Sequence, residues 1–139
     1  MSLYIITKRM EIAGAHKLHL DYDSPCQNIH GHNWIIIVTV KGFHLNHNGL
    51  LVDFKSIKQE IHGRLDHQYL NDVIEMNPTA ENIAKWCLTK TQDAIDKDWN
   101  NKDDKGFTRP FCSQVSVQES EGNIAYYERI EDDRYTGDR

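Results

Sequence analysis

A run of β-branched residues in the first third of the chain constrains its fold most. Residues 32–43, HNWIIIVTVKGF, are dominated by Ile, Val and Thr, which favour extended backbone, and they predict a long strand. Residues 3–13, LYIITKRMEIA, predict a strand before it. Near the other end, residues 113–120 and 123–130 predict two further strands joined by a tight turn at Glu121-Gly122. Both ends of the chain are therefore expected to contribute to a β-sheet.

The middle of the chain shows helical periodicity instead. Apolar residues recur at three- and four-residue spacing in two stretches, 54–65 and 83–95, and Asp53 and Thr79 stand where these stretches begin. The order strand, strand, helix, helix, strand, strand predicts an α+β domain, a four-stranded antiparallel sheet with two helices on one face. One domain is expected over 1–139, with a surface loop at 100–108 and a frayed tail at 131–139. Oligomerisation is one way to cover the two open sheet edges.

Composition narrows the class of protein. The net charge of -5 argues against nucleic-acid binding, which normally leaves a basic footprint. The apolar run from Trp34 to Val40 is far shorter than the roughly 20 residues of a membrane span. The N-terminus does not resemble a secretory signal, and three irregularly spaced cysteines do not suggest a disulfide framework. These features predict a cytoplasmic protein without a membrane or nucleic-acid partner.

The histidines indicate the chemistry. His30 and His32 lie two residues apart where a strand begins, so both imidazoles can point to the same side of the sheet. His16, at the end of the preceding strand, offers a third imidazole. An isolated HxH is more often a polar strand entrance than a metal site. Three neutral imidazoles with an open fourth position are nonetheless typical of catalytic zinc, and the sequence predicts Zn²⁺ bound by His16, His30 and His32.

Cys26, four residues before His30, leaves two interpretations open. It is either a fourth ligand that closes a structural site, or a thiolate base beside the metal. Asp66-His67 would partner the second role, because a His oriented by an Asp is a coherent proton-transfer unit, although such a dipeptide is often only a surface pair.

The remaining candidates are less distinctive. Glu119 is either a solvated strand residue or a carboxylate that accepts two N–H bonds from a planar amino-heterocycle. Cys87 and Cys112 are expected to be buried, inert thiols. Four other histidines are expected at the surface without partners: His19, His44, His47 and His62.

Five motifs, in order, resemble the 6-pyruvoyltetrahydropterin synthase family. They are GAH, CQNIHGHNW, LDHQYLN, NPTAENIA and VSVQES, and the resemblance runs from about residue 3 to residue 128. Three residues separate Cys26 from His30, which resembles the 6-carboxy-5,6,7,8-tetrahydropterin synthase branch of queuosine biosynthesis more than the pyruvoyl-forming enzymes.

The resemblance implies a tunnelling fold, a zinc-dependent lyase and a homo-oligomer, commonly a hexamer of two stacked trimers. The implied reaction converts 7,8-dihydroneopterin triphosphate to 6-carboxytetrahydropterin, with release of acetaldehyde and triphosphate. The implied roles are zinc ligation by the three histidines, catalysis by Cys26, Asp66 and His67, and pterin binding by Glu119, Thr79 and Glu81. Asp66 and His67 are expected at a subunit interface. The alternatives are a pyruvoyl-forming synthase, a relative that performs aldol cleavage, and a non-catalytic zinc- or pterin-binding module.

Overall fold

The computed structural model describes residues 2–100 and 107–130. Its strands are β1 (Tyr4–His16), β2 (His30–Gly42), β3 (Gln68–Tyr69), β4 (Phe111–Ser120) and β5 (Asn123–Glu128). Its helices are α1 (Phe54–Leu65), α2 (Leu70–Val73) and α3 (Ala80–Asn100), and a 3₁₀ turn spans Pro25–Gln27. The expected tail at 131–139 and most of the expected loop at 100–108 lie outside the described residues.

The five strands form one sheet in the order β3-β1-β2-β4-β5. Neighbours are antiparallel except β3, which runs parallel to β1. The α+β class is confirmed, but the prediction of four antiparallel strands and two helices missed β3 and the single turn of α2. Elements of two and four residues are too short to show a period. β3 exists because Gln68 and Tyr69 pair with Gly14 and Ala15, a tertiary contact that local sequence does not encode.

The first two strands extend further toward the loop between them than the sequence predicted. β1 continues through the GAH motif to His16, and β2 begins at His30. The two histidines are therefore directly opposite each other as the last pair of the β1–β2 ladder. This register turns the connection between the strands into a loop that starts and ends at the histidines.

One face of the sheet is buried against the helices. Alternate residues of β1 from Met10 to His16 and of β2 from Trp34 to Val40 are buried, as the two-residue period of a strand requires. Val115 and Val117 of β4 extend this core. The opposite face is more open, and it carries exposed apolar side chains: Ile5 at 55%, Ile124 at 47% and Tyr126 at 63% exposure.

Both long helices begin where expected. The Asp53 carboxylate accepts the Lys55 N–H at 2.9 Å, and the Thr79 hydroxyl accepts the Asn82 N–H at 3.1 Å. Each side chain satisfies a donor that the first helical turn leaves unpaired. Across residues 2–100 and 107–130, no helix combines the length and the apolar character that a bilayer crossing needs.

Candidate functional site

Strand register brings the three predicted histidines together. His16 pairs with His30 across β1 and β2, and His32 lies two residues further along the same face of β2. The next residue on that face, Trp34, is fully buried and contacts the rings of His16 and His32 edge-on, with centroids 4.8 and 5.0 Å away. Its indole N–H donates to the carbonyl of Gly14 at 3.1 Å. Trp34 therefore forms a fixed apolar floor under the imidazoles.

Two carbonyl groups set the tautomers of His16 and His30. His16 Nδ1 lies 2.7 Å from the Pro78 oxygen, and His30 Nδ1 lies 2.7 Å from the Asn28 oxygen. Because a carbonyl only accepts, each Nδ1 carries the proton, and in the neutral ring Nε2 keeps its lone pair. The two Nε2 atoms are 3.0 Å apart. Two lone pairs at that distance repel each other unless a cation lies between them.

His32 places a third imidazole nitrogen beside those of His16 and His30. Its Nε2 is buried and makes no hydrogen bond, the one side-chain nitrogen or oxygen in this condition among the described residues. Burial lowers the pKa of His16 and the pKa of His32, so both rings are neutral near pH 7 and available as ligands. An unpaired, buried acceptor costs free energy that metal coordination recovers.

Glu119 lies beside these nitrogens. Its Oε1 is 3.5 Å from Nε2 of His16 and 3.5 Å from Nε2 of His32. One ligand atom from each of the three histidines and from Glu119 falls within a group spanning 4.8 Å. The donor set and the orphaned nitrogen fit a divalent metal ion. The sulfur of Cys26 is not part of this group.

The NPTAENIA motif supports His16 from α3. Asn77 holds the backbone of His19 on both sides, accepting its N–H at 2.9 Å and donating to its carbonyl at 3.0 Å. Pro78 supplies the carbonyl that orients His16, and Thr79 caps α3 with its hydroxyl. Glu81 is exposed in the first turn of that helix. The structure thus gives this motif a supporting role that the sequence did not reveal, since it acts largely through backbone atoms.

A second asparagine holds the start of the loop between β1 and β2. Asn71 in α2 accepts the Lys17 N–H at 3.0 Å and donates to the Lys17 carbonyl at 2.9 Å. Further along, the carbonyl of Cys26 accepts the Leu18 N–H at 2.8 Å, which folds the loop back onto its own beginning. Cys26 is half-buried in the 3₁₀ turn. These clamps fix its backbone next to the end of β1.

Asp66 and His67 form a hydrogen-bonded pair immediately after α1. His67 Nδ1 lies 2.8 Å from Asp66 Oδ2, while Asp66 Oδ1 accepts the Ala13 N–H at 3.0 Å. The hydrogen bond from Ala13 and then that from His67 lower the pKa of Asp66. His67 itself adopts a left-handed backbone with φ 59° and donates its N–H to the Ala13 carbonyl at 2.7 Å. The pair is therefore attached to β1 three residues before His16.

An open cavity of about 550 Å³ is lined by one residue from each of the two polar groups. His32 and His67 both line it, together with the Ala13–Ala15 stretch of β1 and Gln68 and Tyr69 of β3. Its volume is in the range of small-molecule pockets. The geometry therefore brings His32 of one group and His67 of the other to one opening.

The remaining cysteines are buried, and two of the remaining histidines contact polar partners. Burial raises the pKa of the Cys87 thiol and raises that of Cys112 to about 12, which confirms the expectation of inert thiols. Two histidines expected to lack partners have them. His44 accepts the Thr108 N–H at 3.0 Å, and His62 Nε2 lies 3.5 Å from Asp66 Oδ2.

Comparison with known proteins agrees with this geometry. The sequence profile of the family described as 6-pyruvoyl tetrahydropterin synthase matches residues 5–130. The 6-carboxy-5,6,7,8-tetrahydropterin synthase of Bacillus subtilis is 31% identical over 129 residues, which cover 88% of this chain and 83% of that protein. The 6-pyruvoyl tetrahydrobiopterin synthase of Dictyostelium discoideum is 26% identical, covering 88% of this chain and 94% of the relative.

The fold also recurs among solved structures. The 6-pyruvoyl tetrahydropterin synthase of Caenorhabditis elegans superposes with a TM-score of 0.67 at 21% identity, covering 93% of this chain and 97% of the other. At that identity the likeness establishes the tunnelling fold, while the profile match and the Bacillus relative establish ancestry. The chain belongs to the 6-pyruvoyl tetrahydropterin synthase family.

Proposed function

We propose that this protein is a 6-carboxy-5,6,7,8-tetrahydropterin synthase, a lyase of queuosine and 7-deazapurine biosynthesis. The reaction converts 7,8-dihydroneopterin triphosphate and water to 6-carboxytetrahydropterin, acetaldehyde and triphosphate. The observation that carries the proposal is the convergence of the imidazole Nε2 atoms of His16, His30 and His32 in a chain 31% identical to a synthase of that name.

Zinc is the proposed metal, held by His16, His30 and His32. Imidazole suits several transition metals, but three imidazoles and an open position are the typical catalytic zinc set. When bound, zinc would supply Lewis-acid stabilisation of negative charge on the side-chain oxygens of the substrate. The carbonyls of Pro78 and Asn28 hold two of the ligands in the tautomer that this requires.

Proton transfer is assigned to Cys26, Asp66 and His67. Cys26 is half-buried, unlike the other two cysteines, and lies in a loop clamped to the end of β1. As a thiolate it would take the proton from the substrate side-chain carbon. His67 would exchange that proton with solvent or the intermediate through Nε2, because Nδ1 is engaged by Asp66. The high exposure of His67, 80%, leaves that nitrogen accessible to a substrate or a neighbouring subunit.

Glu119, Thr79 and Glu81 are the proposed pterin contacts. A carboxylate accepts two parallel N–H bonds from an amino-heterocycle, which would orient the side chain of the substrate. Because the Thr79 hydroxyl oxygen accepts the Asn82 N–H, its contribution to the ring is assigned to the hydroxyl proton or the second lone pair.

The proposed assembly is a homohexamer of two stacked trimers in the cytoplasm. Exposed apolar side chains on the open face of the sheet, among them Ile5, Ile124 and Tyr126, support self-association through that face. Three free cysteines support a reducing compartment.

Product identification tests the function. Zinc-loaded protein incubated with 7,8-dihydroneopterin triphosphate should release acetaldehyde and triphosphate and form the carboxylate pterin, measured by mass spectrometry. Release of triphosphate without acetaldehyde would identify a pyruvoyl-forming synthase. Cleavage of the side chain with no carboxylate product would identify an aldolase, and tight pterin binding without turnover would identify a non-catalytic module.

A further inference from the structure

The carboxylate of Glu119 is directed into the metal-binding group rather than away from it. Val115 and Val117 of β4 are buried in the core, and Glu119 follows them at the two-residue period of the strand. Its side chain is only 26% exposed, and Oε1 approaches His16 and His32 equally. The carboxylate therefore points at the histidines on the buried side of the sheet, at the position where the pairing of β4 with β5 shifts register.

Both distances are within ion-pair range but too long for hydrogen bonds. An N–H···O bond has a donor–acceptor distance of about 2.7–3.2 Å, and both contacts of Glu119 are 3.5 Å. His16 cannot donate from Nε2, because its one neutral-ring proton is on Nδ1, where it bonds to Pro78. The His32 Nε2 has no hydrogen-bond partner. The Nε2 atoms of His16 and His30 and the carboxylate oxygen of Glu119 are thus acceptors within one group, and Nε2 of His32 lies beside them.

Three of the six separations in this group, whose atoms lie within 4.8 Å of one another, are close to those of a tetrahedral zinc site. With zinc–ligand bonds of about 2.0–2.1 Å, two ligand atoms at the corners of a tetrahedron are about 3.3 Å apart. Three of the separations here are 3.0 Å between His16 and His30, and 3.5 Å from Glu119 to each of His16 and His32. Glu119 thus occupies the fourth corner, which the proposed reaction requires to be open.

We propose that Glu119 is a displaceable fourth ligand that closes the metal site until the pterin ring binds. This inference rests on the proposed function for the identity of the ring. Two parallel N–H bonds from an amino-heterocycle use both oxygens of the carboxylate, including the Oε1 that faces the histidines, so the ring and the metal compete for Glu119. Ring binding therefore withdraws the ligand and opens the corner that the hydroxyl groups of the same substrate then fill. A molecule with hydroxyls but no ring leaves the site closed.

The first test measures metal affinity without any pterin. Glu119→Gln and the shorter Glu119→Asp should each raise the zinc Kd about 10- to 100-fold in competition with a chromogenic chelator. Glu121→Gln removes the same charge from the neighbouring turn and should leave the Kd unchanged. Glu119 variants that match Glu121→Gln would overturn the proposal. Because no substrate is present, this result is independent of whether the protein makes the carboxylate product.

The second test measures whether zinc and pterin change each other's affinity for the protein. If pterin and zinc compete for Glu119, zinc must weaken pterin binding by the same factor as pterin weakens zinc binding. Unsubstituted pterin, which lacks the hydroxylated side chain, should bind the apoprotein at least several-fold more tightly than the zinc-loaded protein, measured by calorimetry. It should also change the visible absorption of the Co²⁺-substituted protein, in which cobalt reports its own ligands. Equal or tighter binding in the presence of zinc would overturn the displacement.

Discussion

The two polar groups beside β1 differ in how completely one chain satisfies them. His16 is fully buried and oriented by a backbone carbonyl, and its group lacks only a cation. His67 is 80% exposed, although its hydrogen bond to Asp66 is short at 2.8 Å. The buried group is held by the core of the protein, whereas the exposed pair depends on a substrate or a second subunit to exclude water. Metal binding should therefore be a property of the folded chain, and proton transfer a property of the assembled complex.

The largest expected effects are on zinc binding and turnover, and they differ between a variant of each group. His30→Ala removes one of two lone pairs that are 3.0 Å apart and should weaken zinc binding by more than about 100-fold, with loss of detectable turnover. His67→Ala should retain one equivalent of zinc while losing turnover. Metal content by atomic emission and turnover on the proposed substrate check both. Retention of zinc in His30→Ala would contradict the assignment of the buried group.

Cys26→Ala tests whether turnover can be lost while zinc binding is kept. It should reduce turnover about 10²- to 10⁴-fold, the usual contribution of a positioned base, and leave zinc content unchanged. Cys87→Ala is the control, since that thiol is buried and its pKa is raised by burial. Turnover of Cys87→Ala, expressed per folded protein, should match the parent. Loss of zinc from Cys26→Ala would instead make Cys26 a ligand.

The smallest expected effect is on acid stability. The pKa of Asp66 is lowered below its ordinary value of 3.8 by the Ala13 N–H and by His67. A carboxyl group with a depressed folded pKa adds stability above its unfolded pKa and loses it as pH falls through the folded value. The difference in unfolding free energy between the parent and Asp66→Asn should be constant above about pH 5 and shrink below pH 3.8.

Urea titrations from pH 7 down to pH 3 measure that difference. Asp72→Asn, at an exposed position in α2, provides the control and should show no such convergence. If the difference in unfolding free energy between the parent and Asp66→Asn stays constant to the lowest pH, the hydrogen bonds of Asp66 do not stabilise the fold.

The long elements and the grouping of the three histidines could be predicted from the sequence for the same reason. Their signals are local: β-branched runs in β1 and β2, helical spacing in α1 and α3, and an HxH pair that strand alternation places on one face. The face of Glu119 follows from its alternation with Val115 and Val117, but its approach to the histidines was not predictable, because that approach depends on β4 pairing with β2 in one register. Sequence reasoning also missed Asn71 and Asn77, whose side chains bind backbone atoms more than 50 positions away.

The left-handed backbone of His67 has a consequence for substitutions at this position, whether engineered or natural. It is the one non-glycine residue with positive φ among the described positions, and a left-handed conformation is costly for most residues. Selection for thermostability alone would favour glycine or asparagine there, and either would delete the imidazole. If His67 has its proposed catalytic role, the position trades fold stability against chemistry, and a stabilised variant of this protein should be designed with residue 67 held fixed.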